Sequence, residues 1–249
     1  MIERMSCDVA GDAGLHGAPF RYRVLERLGS LSAAHGVTLL AWGFAQGQLR
    51  MVLEGDRIPV NRVVKGLRIG TARWAESLGL SITLAPVVRW TVEDADLAEA
   101  VAWVHRAPVE ESGADPLESP WSSHRDLLAF RSAAFYRADV LEGRVDPREV
   151  HRLAGGVELP DGWPPPIAKR RSLGFLLRLA GAVLGVLPAD RRCFRLFVHL
   201  ARDGGFASVD MASALYVTPR RVRQLAAEDE PNLGLALRVM ASSALCVVP

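Results

Sequence analysis

Residues 100–125 read AVAWVHRAPVEESGADPLESPWSSHR, and the fold is decided by how this stretch is divided. It predicts the end of a helix, a turn stopped by Pro108, a polar loop, and a second short helix opened by Pro120-Trp121-Ser122-Ser123. In that second helix the serines would cap free N–H groups while Trp121 closes the core. His105 and His124 are expected as buried or capping histidines rather than metal ligands. Ser123, His124 and Asp126 lie too close in sequence to meet as nucleophile, base and orienting acid, so hydrolase chemistry is not expected.

Toward the N-terminus the chain predicts a first strand over 2–9 and a Gly- and Asp-rich loop up to Gly17. Pro19 opens a helix in which Phe20, Val24, Leu25, Leu28 and Leu31 form one apolar face, ended by Gly36. The run VTLLAWGF over 37–44 predicts a central strand. After a Gln46-Gly47 turn, Leu49, Met51 and Leu53 alternate with Gln48, Arg50, Val52 and Glu54, the pattern of a hairpin partner. Pro59 starts a further helix with Val60, Val63, Val64 and Leu67 on one side, stopped by Gly79. A strand over 87–92 follows, and Asp94 is expected to cap the helix that carries Leu97, Val101 and Val104. This order suits a split βαβ antiparallel sheet with helices on one face, an α+β fold.

The frame Trp103, Val104, His105, Pro108, Val109, then Pro120, Trp121, Ser122, Ser123, His124 and Arg125 resembles the REP-associated tyrosine transposases, single-tyrosine members of the HUH family. There the segment runs Tyr-Ile-His-x-Asn-Pro-Val, an acidic loop and Pro-Trp-Ser-Ser. The resemblance spans residues 18–125 and implies a ferredoxin-like HUH sheet. It also implies a cleavage site, in which a tyrosine attacks a phosphodiester beside a divalent metal held by two strand histidines at i and i+2. Here the matching histidine positions are Gln48 and Arg50, the tyrosine position is Trp103, and the residue that completes the metal site is matched by Ala107. Gln is a poor metal ligand and Arg cannot offer a lone pair. The expectation is therefore a degenerate relative with no catalytic residue and no metal or other cofactor. Arg50 is left either to hold a phosphate or to form a surface ion pair, and Trp103 either to stack on a base or to fill the core.

After Arg125 the pattern stays helical to about Leu141. Gly155-Gly156, Pro160, Asp161-Gly162 and Pro164-Pro165-Pro166 then predict a linker, so the domains are expected as 1–142, a linker over 143–171, and a helical domain over 172–249. The apolar run 173–187 follows Lys169-Arg170-Arg171; it is too short to span a bilayer and carries Arg178, which leaves a core helix or an interfacial one. Residues 191–227 predict a helix-turn-helix. A first helix carries Phe194, Leu196, Phe197 and Leu200. Ser208 caps a second with Met211, Ala212 and Leu215 inward. Thr218 and Pro219 then open a third, with Val222 and Leu225 inward and Arg220, Arg221, Arg223 and Gln224 outward. Those outward side chains can contact base edges and phosphates. A last apolar helix is expected over 233–245.

The composition agrees with a globular chain: 249 residues, 49% hydrophobic and 23% charged, with a net charge of +2. Nearly all its basic residues are Arg; Lys65 and Lys169 are the lysines. Cys7, Cys193 and Cys246 lack zinc or disulfide spacing, and residues 1–14 lack the apolar core of a secretion signal. The expected protein is bacterial, cytoplasmic and nucleoid-associated. It would bind duplex or hairpin DNA as an inactive transposase relative, a transcriptional regulator or architectural factor, with a homodimer left open and no membrane partner. Two alternatives stand beside it. One is an active DNA-cleaving enzyme with a relocated site, for which Tyr136 and His151 are the reserves. The other is a protein-interaction scaffold.

Overall fold

Strand β1 (Ile2–Gly11) alternates: Met5, Cys7 and Val9 are buried, while Arg4 and Ser6 are half-buried and Asp8 is exposed. Because side chains alternate across a sheet, one face of β1 is apolar and the other polar. In the computed structural model, which describes residues 1–11, 18–45, 47–113, 115–128, 135–159, 172–187, 190–228, 230, 233 and 236, this strand lies inside a mixed-element first unit. β1 pairs antiparallel with β3 (Gln48–Glu54), and β3 pairs antiparallel with β2 (Thr38–Ala45). On its other side β1 pairs with β4 (Ile82–Leu84) near its C-terminus and with β5 (Val88–Val92) near its N-terminus. The outer strand is thus broken at Ala85-Pro86-Val87, where Pro86 has no N–H to give a ladder. The strand order β2-β3-β1-β4 is that of two interleaved βαβ units, so the fold class is α+β.

Helices α1 (Ala18–His35) and α2 (Arg57–Ser77) pack on the apolar face, where Phe20 meets Phe44 edge-on and stacks on Trp74. Helix α3 (Leu97–Ser112) lies on the opposite face, against β2 and β3, so the helices are not confined to one side as expected. Gly43 is what lets it approach. A Cβ built there would collide with the Val104 carbonyl oxygen. That oxygen is deprived of its helical donor because Pro108, four residues on, has no N–H. Asp94 begins a short 3-10 turn rather than capping α3.

The strand over 37–44 is an edge of the sheet, not its centre, and the edge is covered. Trp121 O accepts from Phe44 N–H at 2.6 Å, Trp42 O accepts from Ser123 N–H at 2.8 Å, and Gly43 and Ser122 form a bridge. The Pro-Trp-Ser-Ser segment is therefore an extended strap along β2 rather than a helix start, and α4 (His124–Leu127) begins only after it. Trp121 is half-buried and packs on Tyr22 at 5.1 Å rather than closing the core. Of the helix expected to run on to Leu141, α4 ends at Leu127 and a 3-10 turn covers Ala138–Leu141, while residues 129–134 lie outside the described ones.

The first unit comprises Met1–His124 and Ala134–Val157, the second Arg125–Ala133 and Glu158–Pro249. The expected linker over 143–171 is folded at its start. α5 (Pro147–Leu153) is capped by Asp146 and buries Val150 and His151, and Ala154 beyond it is buried too. Residues 160–171 lie outside the described ones. In the second unit α6 (Leu173–Leu184) buries Leu176, Leu179 and Ala180 and packs on α7 (Arg191–Asp203), as a core helix does. No helix among the described residues is long and apolar enough to cross a membrane. α8 (Ser208–Leu215) and α9 (Pro219–Ala226) flank a turn in which Tyr216 takes φ 55°, and α7 packs on both. Ala207, not Ser208, is the N-cap of α8. The helix expected over 233–245 falls almost wholly outside the described residues. At the C-terminal end of α7, Asp203 takes the Arg125 guanidinium at 3.1 Å, with both side chains buried.

Two stability changes are expected. Gly43→Ala forces α3 off β2 and costs about 1–3 kcal/mol or more. Asp203→Asn removes a carboxylate from the buried Arg125 guanidinium and costs about 3–5 kcal/mol. Urea denaturation of each variant against the parent measures both.

Candidate nucleic-acid interface

Register places Arg4, Ser6, Asp8, Gln48, Arg50 and Trp90 on the polar sheet face, because Ser6 and Arg50, Asp8 and Gln48, and Arg4 and Trp90 are paired residues. Trp103 comes onto the same face from α3. Arg50 is the hub. Its Nε donates to Gln48 Oε1 at 2.7 Å, one terminal nitrogen to the Trp103 carbonyl at 3.1 Å, and the other to Glu110 Oε2 at 2.5 Å. Gln48 in turn donates to Asp8 Oδ1 at 3.0 Å. The guanidinium carbon stands 4.8 Å from the Trp103 ring centre. Of the two sequence readings of Arg50, the structure displays the ion pair. Each of its three nitrogens has a protein acceptor, which uses three of the five N–H donors. The Glu110 side chain is 50% exposed while that of Arg50 is 13% exposed, so the pair is open to solvent on one side only.

Trp103 neither fills the core nor stands free. It meets Trp90 at 5.9 Å, edge to face, and Arg4 lies 5.4 Å from both ring centres. Trp90 is 41% exposed. The result is a layer of alternating cations and indoles on the part of the sheet that α3 leaves open, with Arg4 making no ion pair among the described residues. Cations over indole faces are held by the ring quadrupole, by about 0.5–1 kcal/mol when exposed. Ala107, one turn beyond Trp103, is buried and contributes no polar group. Arg4, Trp90, Asp8 and Glu110 were missed by sequence reasoning. Glu110 could have been found, since it lies seven residues, two turns, past Trp103.

Behind α3 the three histidines form a buried line. Ser123 Oγ lies 2.9 Å from His105 Nε2, His105 Nδ1 2.9 Å from His124 Nδ1, His124 Nε2 2.8 Å from His151 Nδ1, and His151 Nε2 2.7 Å from Val157 O. The ends assign the protons. Val157 O only accepts, so His151 carries its hydrogen on Nε2 and accepts on Nδ1; His124 then donates from Nε2 and accepts on Nδ1. His105 donates from Nδ1, and Ser123 donates to His105 while accepting from Trp42 N–H at 3.1 Å. One direction of donation satisfies the line with every ring neutral. Among the described residues no group of His, Cys, Asp and Glu could hold a metal ion. Tyr136, the other reserve for a relocated nucleophile, is buried and donates its hydroxyl to Leu40 O at 2.7 Å.

In the second unit the residues singled out for DNA contact lie on α9. Thr218 caps it by accepting from Arg221 N–H at 3.3 Å, Pro219 stands in its first turn, and Val222 and Leu225 are buried. Arg220, Arg223 and Gln224 are exposed, and Arg221, half-buried, donates to Gln224 Oε1 at 3.3 Å. Arg220 and Arg223 have no ion pair among the described residues. Close by, Glu228 is held below the usual carboxylate range by its bond to Arg191, with Arg195 and Arg221 adding to the field.

Burial depresses His151 below its ordinary value of 6.5, against the opposing pull of the Val157 carbonyl and Asp115. A depressed histidine is neutral in the folded chain and takes up a proton when the chain unfolds. Its contribution to stability is therefore whole above about pH 6.5 and is lost as pH falls below that. Denaturation midpoints recorded from pH 7.5 to 5.5 are expected to fall. His151→Gln keeps one acceptor and one donor without titrating, and is expected to flatten that profile.

No family model matches the chain, and no curated protein matches it. Among solved structures it is similar to a REP-associated tyrosine transposase bound to a REP hairpin, with 15% identity and a TM-score of 0.39 over 58% of this chain and 87% of that one. A likeness this distant supports no assignment of residues or activity.

Proposed function

We propose that this chain binds DNA without cleaving it, as a transposase-derived regulator or architectural factor. The observation that carries the reading is α9, a capped helix whose apolar side is buried and whose Arg220, Arg223 and Gln224 face solvent, with no partner of opposite charge among the described residues. With α8 and the Tyr216–Thr218 turn it makes a helix-turn-helix, and such a helix offers arginines to guanine edges or phosphates and Gln to adenine. The polar sheet face adds a second support. Where the resemblance calls for two metal ligands and a nucleophile, Gln48 and Arg50 are tied to each other and Trp103 has no hydroxyl. A divalent ion would meet a fixed cation, so hydrolytic chemistry has neither its metal nor its attacking group at this place. The reserves for a relocated site, Tyr136 and His151, are both held in internal hydrogen bonds.

Arg220→Ala combined with Arg223→Ala is expected to weaken retention of duplex or hairpin DNA by about 1–3 kcal/mol for each of the two arginines that reads a base. If the two arginines reach phosphates instead, the slope of log affinity against log salt falls by roughly two. A gel shift over a salt series reads both, and unchanged retention at every salt removes α9 from the reading. Labelled single-stranded and hairpin DNA incubated with Mg or Mn is expected to give no covalent protein–DNA product; a covalent band on a denaturing gel ends the claim of inactivity.

A further inference from the structure

On the apolar side of the sheet, away from the Arg50 layer, α2 and the broken outer strand enclose a cleft of about 610 Å³. Asn61, Lys65, Arg68 and Ala72 recur along α2 at steps of four, three and four residues, which is one helical stripe, and all four line it. Arg89 of β5 closes the far side, and Val64 and Leu84 supply apolar wall. The cations are positioned differently. Arg68 donates its Nε to Leu84 O at 3.1 Å, which fixes the guanidinium at the wall and leaves its terminal nitrogens without an acceptor among the described residues. Arg89 donates to Asn61 Oδ1 at 2.6 Å and lies 3.6 Å from Glu3, the one carboxylate beside it among the described residues. Lys65 is exposed and makes no ion pair among them.

Three cations against one carboxylate leave an excess of two positive charges in a cleft whose volume falls in the range of small-ligand sites, about 300–1,000 Å³. We infer that this cleft binds a free nucleotide-sized phosphate ester, its phosphates on Lys65, Arg68 and Arg89 and its uncharged body against Val64, Ala72 and Leu84. A tethered guanidinium with free terminal donors suits phosphate oxygens, and Lys65 adds a movable point charge. A chain of phosphodiesters carries the same chemistry and the same bases, and the oligonucleotide arm of the test separates the two sources.

Isothermal titration of the full chain with ADP, with pyrophosphate and with a short single-stranded oligonucleotide tests the proposal. ADP is expected to bind and pyrophosphate to compete with it. Lys65→Gln and Arg68→Gln are each expected to weaken ADP by roughly tenfold, the usual effect of removing one charge-assisted hydrogen bond. Lys65 is exposed and holds no hydrogen bond or ion pair among the described residues, so its variant is expected to keep the parent melting temperature, and a weakened affinity there cannot be laid to misfolding. Arg220→Ala with Arg223→Ala should leave ADP affinity unchanged while DNA retention falls, which separates this site from α9. The proposal is overturned if millimolar ADP gives no heat, if both glutamine variants bind ADP as the parent does, or if the oligonucleotide alone depends on Lys65 and Arg68.

Discussion

The Ser123 hydroxyl stands where the two halves of the first unit are joined. It accepts the N–H of Trp42 on the sheet edge and donates to His105 inside the molecule. An edge strand with open N–H and C=O groups is a template for aggregation unless something covers it, and here the cover is three residues long and held by one hydroxyl and its neighbours. From Ser123 the line of imidazoles runs through α3 and α4 to α5, so the edge of the sheet, the strap and the returning segment 134–157 are tied by one directional set of protons. Burial holds the His151 ring of this line below its ordinary value, toward the neutral form.

The same packing shapes the polar face. Gly43, paired with Arg50 across the ladder, admits the Val104 carbonyl at a distance no side chain would allow, and α3 is thereby brought low enough for the Trp103 carbonyl to reach Arg50. Proline, glycine and arginine act together: Pro108 frees a carbonyl, Gly43 makes room for it, and Arg50 binds the neighbouring one. The place that the resemblance assigns to chemistry is thus filled by structure, and what remains open to solvent is the Arg4 and Trp90 end of the layer. That end sets one guanidinium against two indole faces, with Trp90 41% exposed.

Much of this was legible in the chain. The alternation of Leu49, Met51 and Leu53 with Gln48, Arg50 and Val52 put the right residues on one face, and Thr218-Pro219 marked the start of α9 with its buried and exposed sides. What escaped has physical causes. Arg4 and Trp90 meet Trp103 through register and through a helix laid across the sheet, neither of which leaves a local signature. Pro-Trp-Ser-Ser carries the residues of a helix start, and Ser122 does accept the His124 N–H at 3.4 Å, yet Ser123 is taken by the strand edge, a choice made by tertiary contact and not by propensity. α5 did carry a signal, Asp146 before Pro147, which the surrounding glycines and prolines hid. The histidine line joins positions 105, 124 and 151, and spacing that wide says nothing about contact.

The polypeptide enters the helical unit twice, first with Arg125–Ala133 and again from Glu158 onward. No single cut in the chain releases either unit whole, since the sheet unit needs its returning segment for α5 and the helical unit needs Arg125 as the counter-ion of Asp203. Recombination that swapped a terminal module would break both partners at once. The interleaved order means that a change to the stretch between 124 and 158 touches the sequence of both units.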